Sequence, residues 1–324
     1  MPDDKPEPTP IRIGISACLL GEKVRYDGGH AHARHVTGLL SDIVDFHPVC
    51  PEVGCGMPVP REAVRLVGTP ESHRLVGRDS GTDWTDTMTA WAKDALEELA
   101  KANLCGFIFK AKSPSSGMTR IKIYPESGGQ AISHAGVGLF ARLLMERFPM
   151  LPVEDEGRLH DIGLRAHFFE RVFVQHRWND VLSGGKTMKD LIDFHTSHKM
   201  LIRSHDVAVY RRMGALVAGG KGMARDELFT MYEQMLAEAM AHKSTIRKNC
   251  DVLMHVMGYF KNDLSSDEKR ECLEIIENYK KELIPLIVPV TLMNHYARKY
   301  DAEYLKDQFY LAPHPLELKL RNHA

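Results

Sequence analysis

The sequence predicts an α/β N-terminal domain with a mainly parallel sheet, followed by an all-α C-terminal domain. Three observations carry that reading. Short apolar runs of strand composition alternate with helical periodicities in the first half of the chain, the pattern of βαβ units. From Leu159 onward strand signals thin out and long amphipathic stretches take over. The chain has 324 residues, of which 44% are hydrophobic and 26% charged, a length and composition suited to two domains with a core in each. The expected division is 1–10 as a disordered lead-in, 11–155 as the α/β domain and 160–324 as the helical domain.

Each element has a local reason. The opening MPDDKPEPTP is acidic and proline-rich, the composition of a segment that builds no core. Residues 11–16 (IRIGIS) read as a strand that runs into Ala17-Cys18-Leu19-Leu20-Gly21. A helix is expected over 31–42, then a strand over 43–49 that ends at Cys50-Pro51-Glu52. Over 82–102, Trp84, Met88, Trp91, Ala95 and Leu99 recur at helical spacing on one face. Residues 105–110 (CGFIFK) form an apolar strand entering the turn-rich Ser113-Pro114-Ser115-Ser116-Gly117. A short strand over 121–124 and a helix over 136–148 close the first half. In the second half, 188–202, 226–240, 245–259 and 266–283 are amphipathic helices. Ser265 followed by Asp267 and Glu268 marks a helix start, and Pro285 and Pro289 are expected to break or kink the helix that follows.

Formal net charge is −1, so no global field recruits nucleic acid or an anionic membrane. No apolar stretch follows a basic start, and no run approaches the ~18 apolar residues of a membrane span. A cytoplasmic protein is expected. In a reducing compartment its six cysteines point to metal or catalytic work rather than disulfides.

Open parallel sheets bind ligands beyond the carboxyl ends of their strands. The first predicted strand delivers Cys18 there, the second Cys50 and Glu52 with Cys55 just beyond, the third Ser113, Ser115 and Ser116. Thiolates at such an edge ligate zinc or an iron–sulfur cluster. Three thiolates without a clear fourth suit a cluster with one open iron, whereas structural zinc prefers four closed ligands. Gly54 and Gly56 are expected to let the backbone wrap a bulky inorganic group. Cys105 opens its strand rather than closing it, roughly 16 Å from the ligand edge, and reads as a core residue. Cys250 and Cys272 fall in helical patterns, where cysteine is ordinarily a packed, inert side chain.

Taken together, Ser16–Gly21 (SACLLG), Val24-Arg25-Tyr26-Asp27-Gly28-Gly29, Cys50-Pro51-Glu52-Val53, Pro58-Val59-Pro60-Arg61 and Lys112-Ser113-Pro114-Ser115 resemble the thiouracil desulfidase family over residues 10–152. The resemblance implies a 4Fe–4S cluster held by three cysteines with the fourth iron free. It also implies removal of sulfur from a thiolated pyrimidine without net redox change. One departure stands out. Stand-alone members read Ser-Pro-Ser-Cys-Gly where this chain has Ser113-Pro114-Ser115-Ser116-Gly117, and they have Gly where it has Cys55. The expectation drawn from this is that the third thiolate has moved, so that Cys18, Cys50 and Cys55 hold the cluster, with Cys105 next in line. The helical half resembles a second family, the YbgA-like domain, through 191–205, 249–260 and 285–296.

Within that resemblance Glu52, tied to a ligand by Pro51, is the expected general base, and Ser113 is expected to hydrogen-bond the ring or the attacking water. Arg25, Arg61 and Lys110 are expected to orient ring carbonyls or a phosphate, with Tyr26, Asp27, Ser115 and Ser116 as further substrate contacts. The partner is a small thiolated pyrimidine; the alternatives are a cluster-bearing sulfide or redox sensor and an RNA-associated protein. His195, His198 and His205 share a predicted helix without a metalloprotease-type motif, so a hydrogen-bonded packing role is expected. The basic Lys199, Arg203, Arg211 and Arg212 are expected to form a solvated helix face.

Overall fold

The computed structural model describes residues 10–40 and 43–313, and the lead-in expected at the start of the chain lies, but for Pro10, outside them. The chain divides into two compact units. The first takes the described residues up to Phe168 with Val172–His176, the second Phe169–Arg171 with the described residues from Arg177 on.

The first unit runs β1 (Ile11–Ser16), α1 (Arg34–Leu40), β2 (Val44–Val49), the one-turn α2 (Pro51–Gly54), β3 (Val64–Gly68), β4 (His73–Gly77), α3 (Thr85–Lys101), β5 (Gly106–Phe109), β6 (Ile121–Tyr124), β7 (Ser133–Gly136), α4 (Leu139–Arg147) and β8 (Val153–Asp155). The main sheet has the order β2-β1-β5-β8, and every pair in it is parallel. Ile13 and Ile15 of β1 and the whole of β5 are buried, the unbroken apolar signature of a parallel sheet covered on both faces. The register sets Ser16 beside Val49, Ile15 beside Ile108 and Phe109 beside Asp155, so the strands end nearly level.

A second sheet, β4-β3-β6-β7, combines antiparallel and parallel pairs. Only β6 was visible in the sequence. The strands VRLVG and HRLVG are short and carry arginines, and SHAG has no strand propensity at all. Their pairing comes from tertiary packing, which overrides such weak local signals.

Helix α3 buries Met88, Ala92, Leu96 and Leu99; the predicted face is shifted, with Trp84, Trp91 and Ala95 on its flanks. Met88 joins Leu66, Leu75, Ile121 and Ile123 in one apolar cluster, while Ala92, Leu96 and Leu99 join Phe107, Phe109 and Phe140 in another. One helix therefore packs into the cores of both sheets.

The helices that follow are α5 (Ile162–Ser183), α6 (Met188–His205), α7 (Val207–Gly219), α8 (Arg225–Ala241), α9 (Ile246–Tyr259), α10 (Ser266–Lys280), α11 (Ile287–Lys299) and α12 (Glu303–Lys306). Ser265 caps α10 in a reciprocal arrangement with Glu268, the start its sequence announces. Pro289 lies in the first turn of α11, where a backbone N–H has no helical partner, so the helix continues through it instead of breaking. Helix α5 escaped the sequence reading because it buries Phe168, Phe169, Val172, Phe173, Val174 and Trp178, an apolar surface too broad to show as one stripe.

Candidate active site

Three strand ends, those of β1, β2 and β5, build one cavity of about 350 Å³. Beyond β1 the chain tightens into a 3-10 turn, Ala17–Leu20, that carries Cys18, whose carbonyl accepts from Ala31 N at 2.9 Å. Beyond β2, Cys50 caps α2, and Pro51 at the first helical position fixes the turn that aims Glu52. Beyond β5, Lys110 N donates to Ser16 Oγ at 2.9 Å, and the chain enters the serine loop. That loop is seated on α4: Ser115 O accepts from Phe140 N at 2.9 Å, and Gly117 O from Gly138 N at 2.8 Å. The fit requires glycine at 138, where a Cβ would stand 2.6 Å from Ser115 O.

Cys18, Cys50, Glu52, Arg25, Tyr26, Arg61, Lys110, Ser113, Ser115 and Ser116 all line the cavity. Asp27 and Cys55 do not.

Glu52 is held through both carboxylate oxygens. Ser115 Oγ donates to Oε1 at 2.6 Å, and Arg61 binds Oε2 with Nε at 3.1 Å and with an ion-paired Nη2. Ser113 Oγ lies 3.0 Å from Ser115 Oγ and accepts from Ser116 N at 3.1 Å. Ser113, Ser115 and Glu52 thus form a hydrogen-bonded row along the cavity wall.

Arg61, its side chain buried, also donates to Val24 O (3.0 Å) and Pro58 O (3.2 Å), contacts that fix it as a positioning group for Glu52. Lys110 Nζ pairs with Glu156 and donates to Ala111 O at 3.2 Å. Arg25 and Tyr26 form the rim, with the guanidinium 5.5 Å from the Tyr26 ring centre. Asp27 serves the turn: its Oδ1 accepts from Gly29 N at 3.0 Å, a bond that holds the carboxyl below its usual range.

Burial pushes the Cys18 thiol up to about 11, the nearby Cys50 adding to the rise and Lys110 and Arg25 opposing it. Burial likewise raises Cys50. Cys55 is placed differently. It follows α2, only 8% of it is exposed, and it packs among Met57, Leu66, Leu75, Met88 and Ile121, its thiol donating to Glu52 O at 3.3 Å. The one-turn helix rotates it away from the cavity, which local spacing does not reveal. Gly54 also has another purpose than wrapping a ligand, since a Cβ there would meet Trp91 Cζ2 at 2.3 Å. Cys105 stands at the far end of β5, its N–H bonded to Arg12 O at 2.8 Å and its sulfur 3.8 Å from His176 Nδ1. Among the described residues no three His, Cys, Asp or Glu side chains converge as a ready metal-ion site.

Two contributors were not foreseen. Ser16 Oγ ties β5 to β1, and Glu156, directly after β8, anchors Lys110. The strand before Glu156 reads Val-Glu-Asp, too acidic and too short to signal itself.

Residues 13–156 match the family model described as 2-thiouracil desulfurase. The chain is also 31% identical over 155 residues to the uncharacterized protein YbbK of Bacillus subtilis (strain 168), spanning 99% of that protein and 46% of this one. The chain belongs to the 2-thiouracil desulfurase family. Its residues 199–315 match a second model, a protein of unknown function (DUF1722). The uncharacterized protein YbgA of Escherichia coli (strain K12) is 29% identical over 153 residues, covering 47% of this chain and 90% of that one. A solved chain titled [4Fe-4S]-dependent thiouracil desulfidase TudS is 30% identical, covers 48% of this chain and 97% of its own, and superposes with a TM-score of 0.37.

The residues lining the cavity all belong to the first unit. In the helical unit, His195 Nδ1 lies 3.1 Å from Tyr232 OH, His198 Nδ1 2.8 Å from Phe194 O, and His205 Nε2 2.8 Å from Glu170 Oε2. Of the basic residues nearby, Arg203 pairs with Asp251 and Arg212 with Glu238, each at 2.9 Å. Among the described residues no helix is long and apolar enough to cross a membrane.

Proposed function

We propose that this desulfurase-family chain hydrolytically removes sulfur from a 2-thiouracil-like pyrimidine, free or as a nucleoside, by means of an iron–sulfur cluster. Water replaces the sulfur of the thiocarbonyl, which leaves as sulfide, and no electrons are transferred. One observation carries the reading: the buried Cys18, the half-buried Cys50 and a hydrogen-bonded Ser113–Ser115–Glu52 row share the wall of a single cavity at the carboxyl edge of a parallel sheet.

The donor set suits a 4Fe–4S group. Cys18 and Cys50 are soft thiols on adjacent strand ends, with oxygen donors beside them. When bound, such a group supplies a Lewis acid for the thiocarbonyl sulfur. The remaining work falls to the chain. Ser113 is the end of the row that takes a proton from water, Ser115 passes it on, and Glu52 receives it. Arg61 keeps Glu52 aimed, so the carboxylate has little reorganisation to undergo. Arg25 and Tyr26 at the rim are suited to a flat polar ring, the first by its donors and the second by its face. Lys110, anchored by Glu156, contributes positive charge beside Cys18.

The test is sulfide release from 2-thiouracil by protein purified without oxygen. Glu52→Gln is expected to keep the iron content and melting temperature of the wild type while turnover falls about 10²–10⁴-fold. Unchanged turnover in that variant removes Glu52 from the reaction. Iron-replete wild type that releases no sulfide rejects the enzymatic reading.

A further inference from the structure

On the three-ligand reading that the family resemblance implies, the third protein contact to the cluster comes from a side chain that reaches the cavity shared by Cys18 and Cys50. Cys55 is turned into an apolar cluster and its thiol is engaged by Glu52 O. Glu52 has both oxygens occupied by Ser115 and Arg61. Ser115 is used twice, as donor to Glu52 and as neighbour to Ser113. Ser113 Oγ already accepts from Ser116 N.

Ser116 differs from all of these. It lines the cavity and is only 4% exposed, and among the described residues the one side-chain partner of its hydroxyl is Ser115 Oγ at 3.5 Å. That is long for an O–H···O bond, whose usual separation is about 2.7–2.8 Å. A buried hydroxyl with most of its bonding capacity unspent is uncommon in a folded interior and calls for a ligand. The Cys50 sulfur also lines the cavity, and its contact to Val24 O is long, at 4.0 Å. Cys18, Cys50 and Ser116 follow the ends of β1, β2 and β5, with β1 central and the other two flanking it.

The geometry points to Ser116 Oγ as the third protein ligand of the cluster, in place of a thiolate. The inference rests on the cluster reading given above. In forming the iron–oxygen bond the hydroxyl releases its proton to water, as the two thiols do in forming their iron–sulfur bonds. No electron transfer is involved. The resulting site has two thiolate corners and one alkoxide corner, and the harder oxygen donor gives one iron a distinct electronic environment.

Anaerobic reconstitution with iron and sulfide tests this on the full chain. The variants are Ser116→Ala, Ser116→Cys, Cys55→Ala and Cys18→Ala, each checked for folding by circular dichroism. Iron and sulfide per chain and the Mössbauer spectrum are the readouts, independent of turnover. Ser116→Ala is expected to lose iron affinity by at least about 10-fold, as Cys18→Ala does, while Cys55→Ala stays at the wild-type level. Ser116→Cys is expected to keep its iron and to shift the isomer shift of one iron site toward sulfur ligation. Any other combination overturns the assignment to Ser116, including iron loss confined to Cys55→Ala or an unshifted Ser116→Cys spectrum. A wild type that takes up no iron, or a Cys18→Ala variant that keeps it all, instead overturns the cluster reading itself.

Discussion

Ser115 is the residue on which the row along the cavity wall depends, because it touches both Ser113 Oγ and Glu52 Oε1. Replacing it with Ala cuts the path from Ser113 to Glu52 while leaving Arg61 on the carboxylate. Turnover is expected to fall about 10²-fold with iron content unchanged, measured as sulfide released per iron. Full activity would make the serine a packing residue. At this scale the sequence was readable wherever a residue directly follows a strand. Cys18, Cys50, Glu52 and the serine loop lie where strand ends place them, because register alone determines that edge. Cys55 was not readable, since its direction is set by one turn of helix and by the apolar cluster that receives it.

At the scale of elements, the serine loop takes its position from the start of α4. Gly138→Ala would drive a Cβ to 2.6 Å from Ser115 O, a backbone atom without rotamer freedom. The expected cost is about 1–3 kcal/mol, read as a lower denaturant midpoint. Turnover should fall further than stability, because displacing Ser115 by a fraction of an ångström spoils its contact with Glu52. A midpoint unchanged from wild type would show that the loop and helix yield freely. The parallel sheet was legible in IRIGIS and CGFIF because burial on both faces demands continuous apolar residues. The second sheet and α5 were not, the first because its strands alternate weakly over very few residues and the second because its apolar surface has no single periodicity.

Considered as a whole, the chain carries a marked acid sensitivity in its helical unit. Burial lowers His195 to about 4 and His198 to about 3, from an ordinary value of 6.5. The unfolded chain therefore binds protons on these rings below pH 6.5, where the folded chain does not. Their contribution to stability is complete above that pH and is lost progressively as pH falls toward 4. The melting temperature of the helical unit is expected to drop on the order of 10 °C between neutral pH and pH 5, by calorimetry. His195→Gln should flatten part of that slope, and an unchanged slope would assign the sensitivity to other groups.

The nearly level ending of β1, β2, β5 and β8 has a temporal consequence. Cys18 and Glu156 are separated by most of the first unit's length, yet the cavity wall and the lysine clamp beside it need both. No early fragment of the chain holds more than part of this constellation. On the proposed cluster reading, cofactor loading waits for a finished sheet, and a loaded centre certifies a correctly assembled N-terminal half.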